Sequence, residues 1–261
     1  MRGPLTGLAL AVMILSCDTL GQTARSQAAK VQTTAPADLT GVWSRTHHPP
    51  DNTRKYTLDQ VIMSLGKEVP PMTPWGEAGF KATKPNRGPR AVPLEQTNDP
   101  VPICFPPGVP RIYSAGLGLP FEIMQIPGRV VMVFEYDHFV RQIYTDGRQH
   151  PPNLNPTWMG DSIGSWKRDT LTVDTIGFND KTWLDALGHT HSEDMHLVER
   201  IRRVSHDTIT DDITIDDPKT YTKPWVAQIV FDLRPDWKIE EDVCEDAVNF
   251  NNVQKVSEST K

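Results

Sequence analysis

Phe121 to Thr145 reads FEIMQIPGRVVMVFEYDHFVRQIYT, and its punctuation decides the fold. Apolar and polar residues alternate at the period of a half-buried strand, interrupted twice by residues that turn a chain, Pro127-Gly128 and Asp137-His138. The reading is three consecutive antiparallel strands, Phe121 to Ile126, Val130 to Tyr136 and Phe139 to Thr145, joined by tight turns. Downstream the pattern repeats. Ser162 to Trp166 and Thr170 to Ile176 make a hairpin around Lys167-Arg168-Asp169, and His196 to Val204 turns at Ser205-His206-Asp207 into Thr208 to Asp216. Trp225 to Leu233 and Trp237 to Cys244 follow, separated by Arg234-Pro235-Asp236. The returns Asp169-Thr170-Leu171-Thr172 and Asp207-Thr208-Ile209-Thr210 echo each other, one structural unit used twice. With a strand around Trp43, about ten strands succeed one another at short spacing with no long helix between them. The pattern predicts an all-β antiparallel meander closing into a barrel, because sequential neighbours pair and closure removes exposed edges.

Upstream the texture differs. Residues 47–120 hold more than half of the chain's 23 prolines, a density that no central strand tolerates. Two short helices are expected in this region. One is capped at Thr57, with Leu58, Val61, Ile62 and Leu65 on one face and Gly66 at its end; the other is capped at Thr73, with Pro74 at its first position, and runs toward Phe80. The region reads as a cover over one mouth or side of the sheet, since it lacks the periodic apolar sequence for a core of its own. A chain of 261 residues with 38% hydrophobic composition suits one elaborated domain, here 38–248, followed by a polar tail at 249–261. A net charge of -6, with basic residues interspersed among acids, argues against nucleic acid as a partner. The short Arg200, Arg202, Arg203 cluster is expected to pair with Glu199, Asp207, Asp211 and Asp212 across a hairpin.

Residues 1–17 fit an export signal: Arg2 supplies positive charge, and Leu8 to Leu15 is apolar but too short to span a bilayer. Ile14-Leu15-Ser16-Cys17 resembles a bacterial lipoprotein cleavage box, which implies a lipid on Cys17; cleavage near Gly21 or Ala24 is the alternative. Residues 18–37, rich in Gln, Thr, Ala and Ser, read as a flexible tether. The chain is therefore expected to be exported, as a periplasmic, secreted or membrane-anchored protein, touching a membrane only through such an anchor. In an oxidising compartment Cys104 and Cys244 are expected to form a disulfide, against the alternative of two buried thiols.

Asp38-Leu39-Thr40-Gly41-Val42-Trp43 places a Gly-x-Trp at the start of the structured chain, with the Trp plugging one end of a core and Gly41 letting another backbone come close. The tripeptide resembles that of the calycin superfamily, the lipocalins and their relatives, in their first strand. The resemblance implies a lipocalin-like barrel. IYTDGRQHP, GDSIGSW, DTLTVDTIGFND, TWLD, HSED and TIDDPKTYTKPW also look like phrases from a group of uncharacterised secreted bacterial proteins, a likeness that transfers no catalytic residues.

Candidate chemistry concentrates between Phe134 and Arg203. Asp146, Arg148 and His150 follow one strand, His191 and Ser192 precede another, and Trp158 and Trp183 lie in the same two loops. If the loops share a barrel end, an imidazole meets a carboxylate there, Arg141 or Arg148 orients an anionic or carbonyl group, and the tryptophans wall an apolar ligand. The expected function is binding of a small, partly apolar molecule at the barrel mouth through Arg141, Tyr144, Arg148, Trp158, Trp183, His191 and His196. One alternative is an acid-base enzyme acting on such a molecule (an isomerase, cyclase, hydratase or hydrolase), with His191 or His150 as base and Asp146 or Glu199 as orienting carboxylate. Another is an envelope scaffold without a pocket.

The structural alternative for the polar groups is an ion-pair network holding the two loops closed. Gly160-Asp161-Ser162-Ile163-Gly164 matches the nucleophile elbow of serine hydrolases, but strand follows Ser162 where the elbow needs a helix. His189-x-His191-x-Glu193 has a spacing that occurs in metal sites, yet it falls in a Gly188-led loop, and a regular strand after Met195 turns His196 away from Glu199. No metal and no other cofactor is assigned. Oligomeric state is not legible.

Overall fold

The computed structural model describes residues 3, 37–45, 65, 66 and 68–244. Nine strands make one closed barrel: β1 (Gly41–Arg45), β2 (Phe121–Ile126), β3 (Arg129–Phe134), β4 (Val140–Tyr144), β5 (Asp161–Lys167), β6 (Thr170–Ile176), β7 (His196–Ser205), β8 (Thr208–Asp216) and β9 (Trp225–Leu233). Each strand pairs with its sequence neighbours, and β1 pairs with β9 to close the ring. The expected meander is present. Trp237 to Cys244, expected as a further strand, carries one isolated bridge, Asp242 to Tyr136. The segment departs from the ring because Leu233 already occupies the place beside Trp43 that closes it.

Parity governs the one exception to antiparallel pairing. Around a ring of nine strands, directions cannot alternate throughout, so one pair of neighbours must run the same way. That pair is β4 and β5, joined through only Ile143↔Ser162 and Tyr144↔Ile163. Parallel neighbours need a crossover of about a dozen residues or more, which residues 145–160 supply. The same alternation sorts the connections. The β2–β3, β5–β6 and β7–β8 turns gather at one end, the hairpin end; the β3–β4 turn and the loops 177–195 and 217–224 gather at the other.

The segment between β1 and β2 lies over this second end. Helix α1 (Pro74–Ala82) begins where expected: Thr73 caps it through the Gly76 amide at 3.1 Å, and Pro74 occupies a first-turn position. Gly76 sits so close to the 217–224 loop that an added Cβ falls 2.2 Å from the Thr220 carbonyl oxygen. Thr83 donates to the Gly188 carbonyl at 3.1 Å and Arg90 to that of Leu187 at 2.9 Å. The Cys104–Cys244 disulfide ties the cover to the chain after β9. The expected signal, Cys17, the tether to residue 36, the helix from Thr57 as far as Ser64, and the tail at 249–261 lie outside the described residues. Among the described residues no helix is long and apolar enough to cross a membrane.

Inside the ring lies the buried core. Trp43 and Trp225 are fully buried, and Tyr113, Phe121, Phe134 and Phe231 pack as one aromatic cluster with ring centres 5.0 to 5.8 Å apart. Three of these belong to strands. Tyr113 belongs to the cover, on a 3-10 segment, Arg111–Leu117, that dips into the barrel. The close approach at Gly41 is to the Leu233 side chain and the Trp43 ring, not to another backbone.

Candidate functional site

Strand alternation is inverted at the centre of the barrel. In β4 the apolar Val140 is half exposed while Arg141 points inward and is 1% exposed. In β7 Glu199 sits between the inward Leu197 and Ile201, and in β8 Asp211 sits between the inward Ile209 and Ile213; both acids are fully buried. Burying charge is costly unless partners compensate, so these positions define the polar site of this fold.

Arg141 is saturated. Its Nη1 donates to Glu199 Oε1 at 2.8 Å and to the Tyr113 hydroxyl at 2.8 Å. Its Nη2 donates to Glu199 Oε2 and to the hydroxyls of Thr175 at 3.1 Å and Ser162 at 3.2 Å, and Nε reaches Ser162 at 3.4 Å. Tyr113 in turn donates to Glu199 Oε1 at 2.9 Å. Burial is the largest influence and opposes the charge on Arg141, but Glu199, Tyr113 and Asp211 together outweigh it and hold the guanidinium protonated. Burial, then Glu199, pushes the Tyr113 phenol well above its usual range.

Asp211 is the exception. Neither of its carboxyl oxygens has a hydrogen-bond partner. Its polar neighbour is the Glu199 carboxylate, itself an acceptor, so the two bond only when Asp211 carries a proton. Burial first and the Glu199 charge second raise the Asp211 carboxyl well above the ordinary carboxylate range, against a smaller opposing pull from Arg141. The centre therefore gathers one cation, one anion, an Asp211 whose neutral form burial and Glu199 favour, and three hydroxyls. An acid beside a base can exchange a proton with a bound molecule, and unmet bonding capacity can anchor one.

The two loops expected to share a mouth do not. Asp146 pairs with Arg148 at 2.6 Å, and Arg148 lies over the Tyr144 ring at 3.7 Å; all three sit at the hairpin end beside the β2–β3 turn, where Thr145 donates to the Gly128 carbonyl. His191 lies at the covered end. The crossover is the reason: residues 145–160 start at one end of the barrel and finish at the other.

His150 and His196 are on the outer wall. His150 Nδ1 is 2.6 Å from Asp161 Oδ1, its Nε2 is 3.2 Å from Asp174 Oδ1, and His196 Nε2 is 3.0 Å from that same Asp174 oxygen. His196 does face opposite to Glu199, as the alternation of β7 requires. None of the expected histidine–carboxylate pairs forms: Asp146 holds Arg148, Glu199 holds Arg141, and the carboxylates beside His150 are Asp161 and Asp174. Arg141 does not await an anion, because its donors are already engaged. Glu199 and Asp211 do not serve the arginines of the β7–β8 hairpin, since they face inward; Arg200 stands opposite Asp212, and Arg203 donates to the His206 and Asp38 carbonyls.

Beneath the cover, His189 Nδ1 lies 2.6 Å from Asp185 Oδ2, and its ring stacks on Phe80 at 4.8 Å. His191 Nδ1 lies 3.1 Å from the Ser192 carbonyl, which can only accept, so Nδ1 bears the proton and the buried Nε2 is an acceptor without a partner. Burial lowers the His191 pKa. Asp217 accepts from the Ser192 amide and hydroxyl at 2.7 and 2.8 Å and from the Thr220 hydroxyl at 2.7 Å. Trp183 is buried near Arg111 at 5.5 Å, and Trp158 packs on Phe105 at 5.7 Å, so both tryptophans serve the cover's seating. Among the described residues no group of three or more His, Cys, Asp or Glu side chains is arranged to hold a metal ion. Ser162 is the second residue of β5, so strand follows it where an elbow needs a helix.

Asp211 was detectable from sequence: in Thr208-Ile209-Thr210-Asp211-Asp212-Ile213-Thr214-Ile215 it stands in phase with the isoleucines. Tyr113 carries no such signal, because its segment has neither strand nor helix periodicity. Compared with known proteins, the chain matches no family model and no curated protein.

Proposed function

We propose that this protein binds a small, partly apolar molecule inside the barrel, reached from the covered end, with its polar group at the Arg141–Glu199–Asp211 centre. The observation that supports this most directly is Asp211, fully buried and inward-facing, with no protein donor to either of its oxygens. A buried polar group left unmet costs about 1 to 3 kcal/mol, and its replacement by a shape-matched apolar residue relieves that cost. A ligand that completes the bonding gives the acid a purpose. The disulfide supports an exported protein, since such bonds persist in oxidising compartments.

Native mass spectrometry of the protein purified from its producing cells tests the reading. A small-molecule adduct on the wild type that is lost in Asp211→Leu is the expected result; bare protein in both, with a higher melting temperature for Asp211→Leu, sinks it. The placement of a neutral acid, Asp211, beside a carboxylate, Glu199, favours a second reading in which the bound molecule exchanges a proton and is isomerised, cyclised, hydrated or hydrolysed. Deuterium incorporated into the recovered molecule after incubation in D2O would mark that activity.

A further inference from the structure

Every member of the interior centre comes from a barrel strand except Tyr113. Arg141 is on β4, Ser162 on β5, Thr175 on β6, Glu199 on β7 and Asp211 on β8, whereas Tyr113 hangs from the cover segment Arg111–Leu117. That segment is flanked by Gly108 and Gly118, both at positive φ. The Tyr113 ring is an apolar body lodged among Phe121, Phe134 and Phe231, and its hydroxyl donates to Glu199 while accepting from Arg141. A piece of the lid thus fills the seat in the way a ligand would.

We propose that the interior centre receives a neutral, hydroxyl-bearing apolar molecule, and that Tyr113 is a built-in occupant which that molecule displaces. This deepens the binding reading above and rests on it. Charge selects the class. Arg141 is neutralised by Glu199, so a carboxylate ligand that takes the phenol's place at Nη1 meets the Glu199 charge without a counter-ion. Asp211, with no cation beside it other than the one Glu199 already holds, completes a centre of zero net charge when protonated. A hydroxyl replaces the phenol at Glu199 and Arg141 without altering that balance, and Asp211 beside it still has an oxygen to accept a further donor.

The test uses the full chain and four probes of one shape: p-cresol, toluene, 4-methylbenzoate and 4-methylbenzylamine. Binding is read by calorimetric titration of the wild type, Tyr113→Ala and Tyr113→Phe. Tyr113→Ala, which empties the seat, should bind p-cresol at least tenfold more tightly than any other probe. Tyr113→Phe keeps the packing but releases the polar hold, and should bind p-cresol more tightly than the wild type does. If Tyr113→Ala does not fold, the Phe variant decides, and affinity equal to wild type overturns the proposal. Toluene matching p-cresol, or either charged probe exceeding it, also overturns the ligand class. The mass-spectrometric adduct reads the underlying binding proposal separately, so a failure of this proposal is distinguishable from a failure of that one.

Discussion

At Arg141 and Glu199 the relevant energy is the difference between losing one ion and losing both. A buried ion that loses its partner remains as an uncompensated charge, at about 3 to 5 kcal/mol, whereas an apolar pair of similar volume is often neutral or stabilising. Glu199→Leu and Arg141→Leu should each lower unfolding free energy by about that amount, and the double variant by clearly less than the sum, as urea titrations will show. Asp211 and His191 predict pH dependences of opposite sign. The Asp211 pKa is raised in the folded state, so its contribution is complete below the ordinary value of 3.8 and is lost as pH rises toward the folded value. Stability should fall by at most about 1.4 kcal/mol per pH unit on this account, and Asp211→Asn should remove the slope. His191 has a lowered folded pKa, so its contribution is present above 6.5 and is lost as pH falls below it. Urea titrations of wild type, Asp211→Asn and His191→Gln across pH separate the two limbs.

Among the elements, α1 shows how the cover is seated. Its N-terminal turn presses Gly76 against the Thr220 backbone, and Thr73 donates through its amide to the Thr220 carbonyl at 2.9 Å, so helix and loop touch main chain to main chain. A methyl at this point cannot be absorbed by rotating a side chain. Gly76→Ala should therefore lift α1 from the 217–224 loop, despite the better helix propensity of alanine, with faster amide exchange in 73–83 and 217–222 and unchanged protection in β6–β8. The elements also divide by how legible they were. Strands β2 to β9 follow from alternation and turn residues, and α1 from Thr73-Pro74. The direction of β5 beside β4 did not follow, because it is set by the parity of the whole ring and not by any residue in β5.

For the molecule as a whole, the closed barrel, the cover and the disulfide were readable; which polar residues meet in the fold was not. Alternation says which residues share a face but not which loops share an end, so Asp146 and His191 looked like neighbours and lie apart. The buried polar cluster that does form combines in-phase charges at Arg141, Glu199 and Asp211 with Tyr113, whose long-range insertion no local pattern announces. The Cys104–Cys244 bridge closes a loop with a sequence separation of 140, for which chain-entropy reasoning gives about 5 kcal/mol as an upper figure. Cys104→Ala/Cys244→Ala should lose a few kcal/mol in calorimetry, with the cover loosening before the barrel. The β4–β5 seam has a different consequence. With two residue pairs against six or more in each ladder from β5 to β9, it is the ring's natural clasp. A circular permutant with new ends within 145–160 would keep all antiparallel ladders and place the cut at the least-paired seam of the ring.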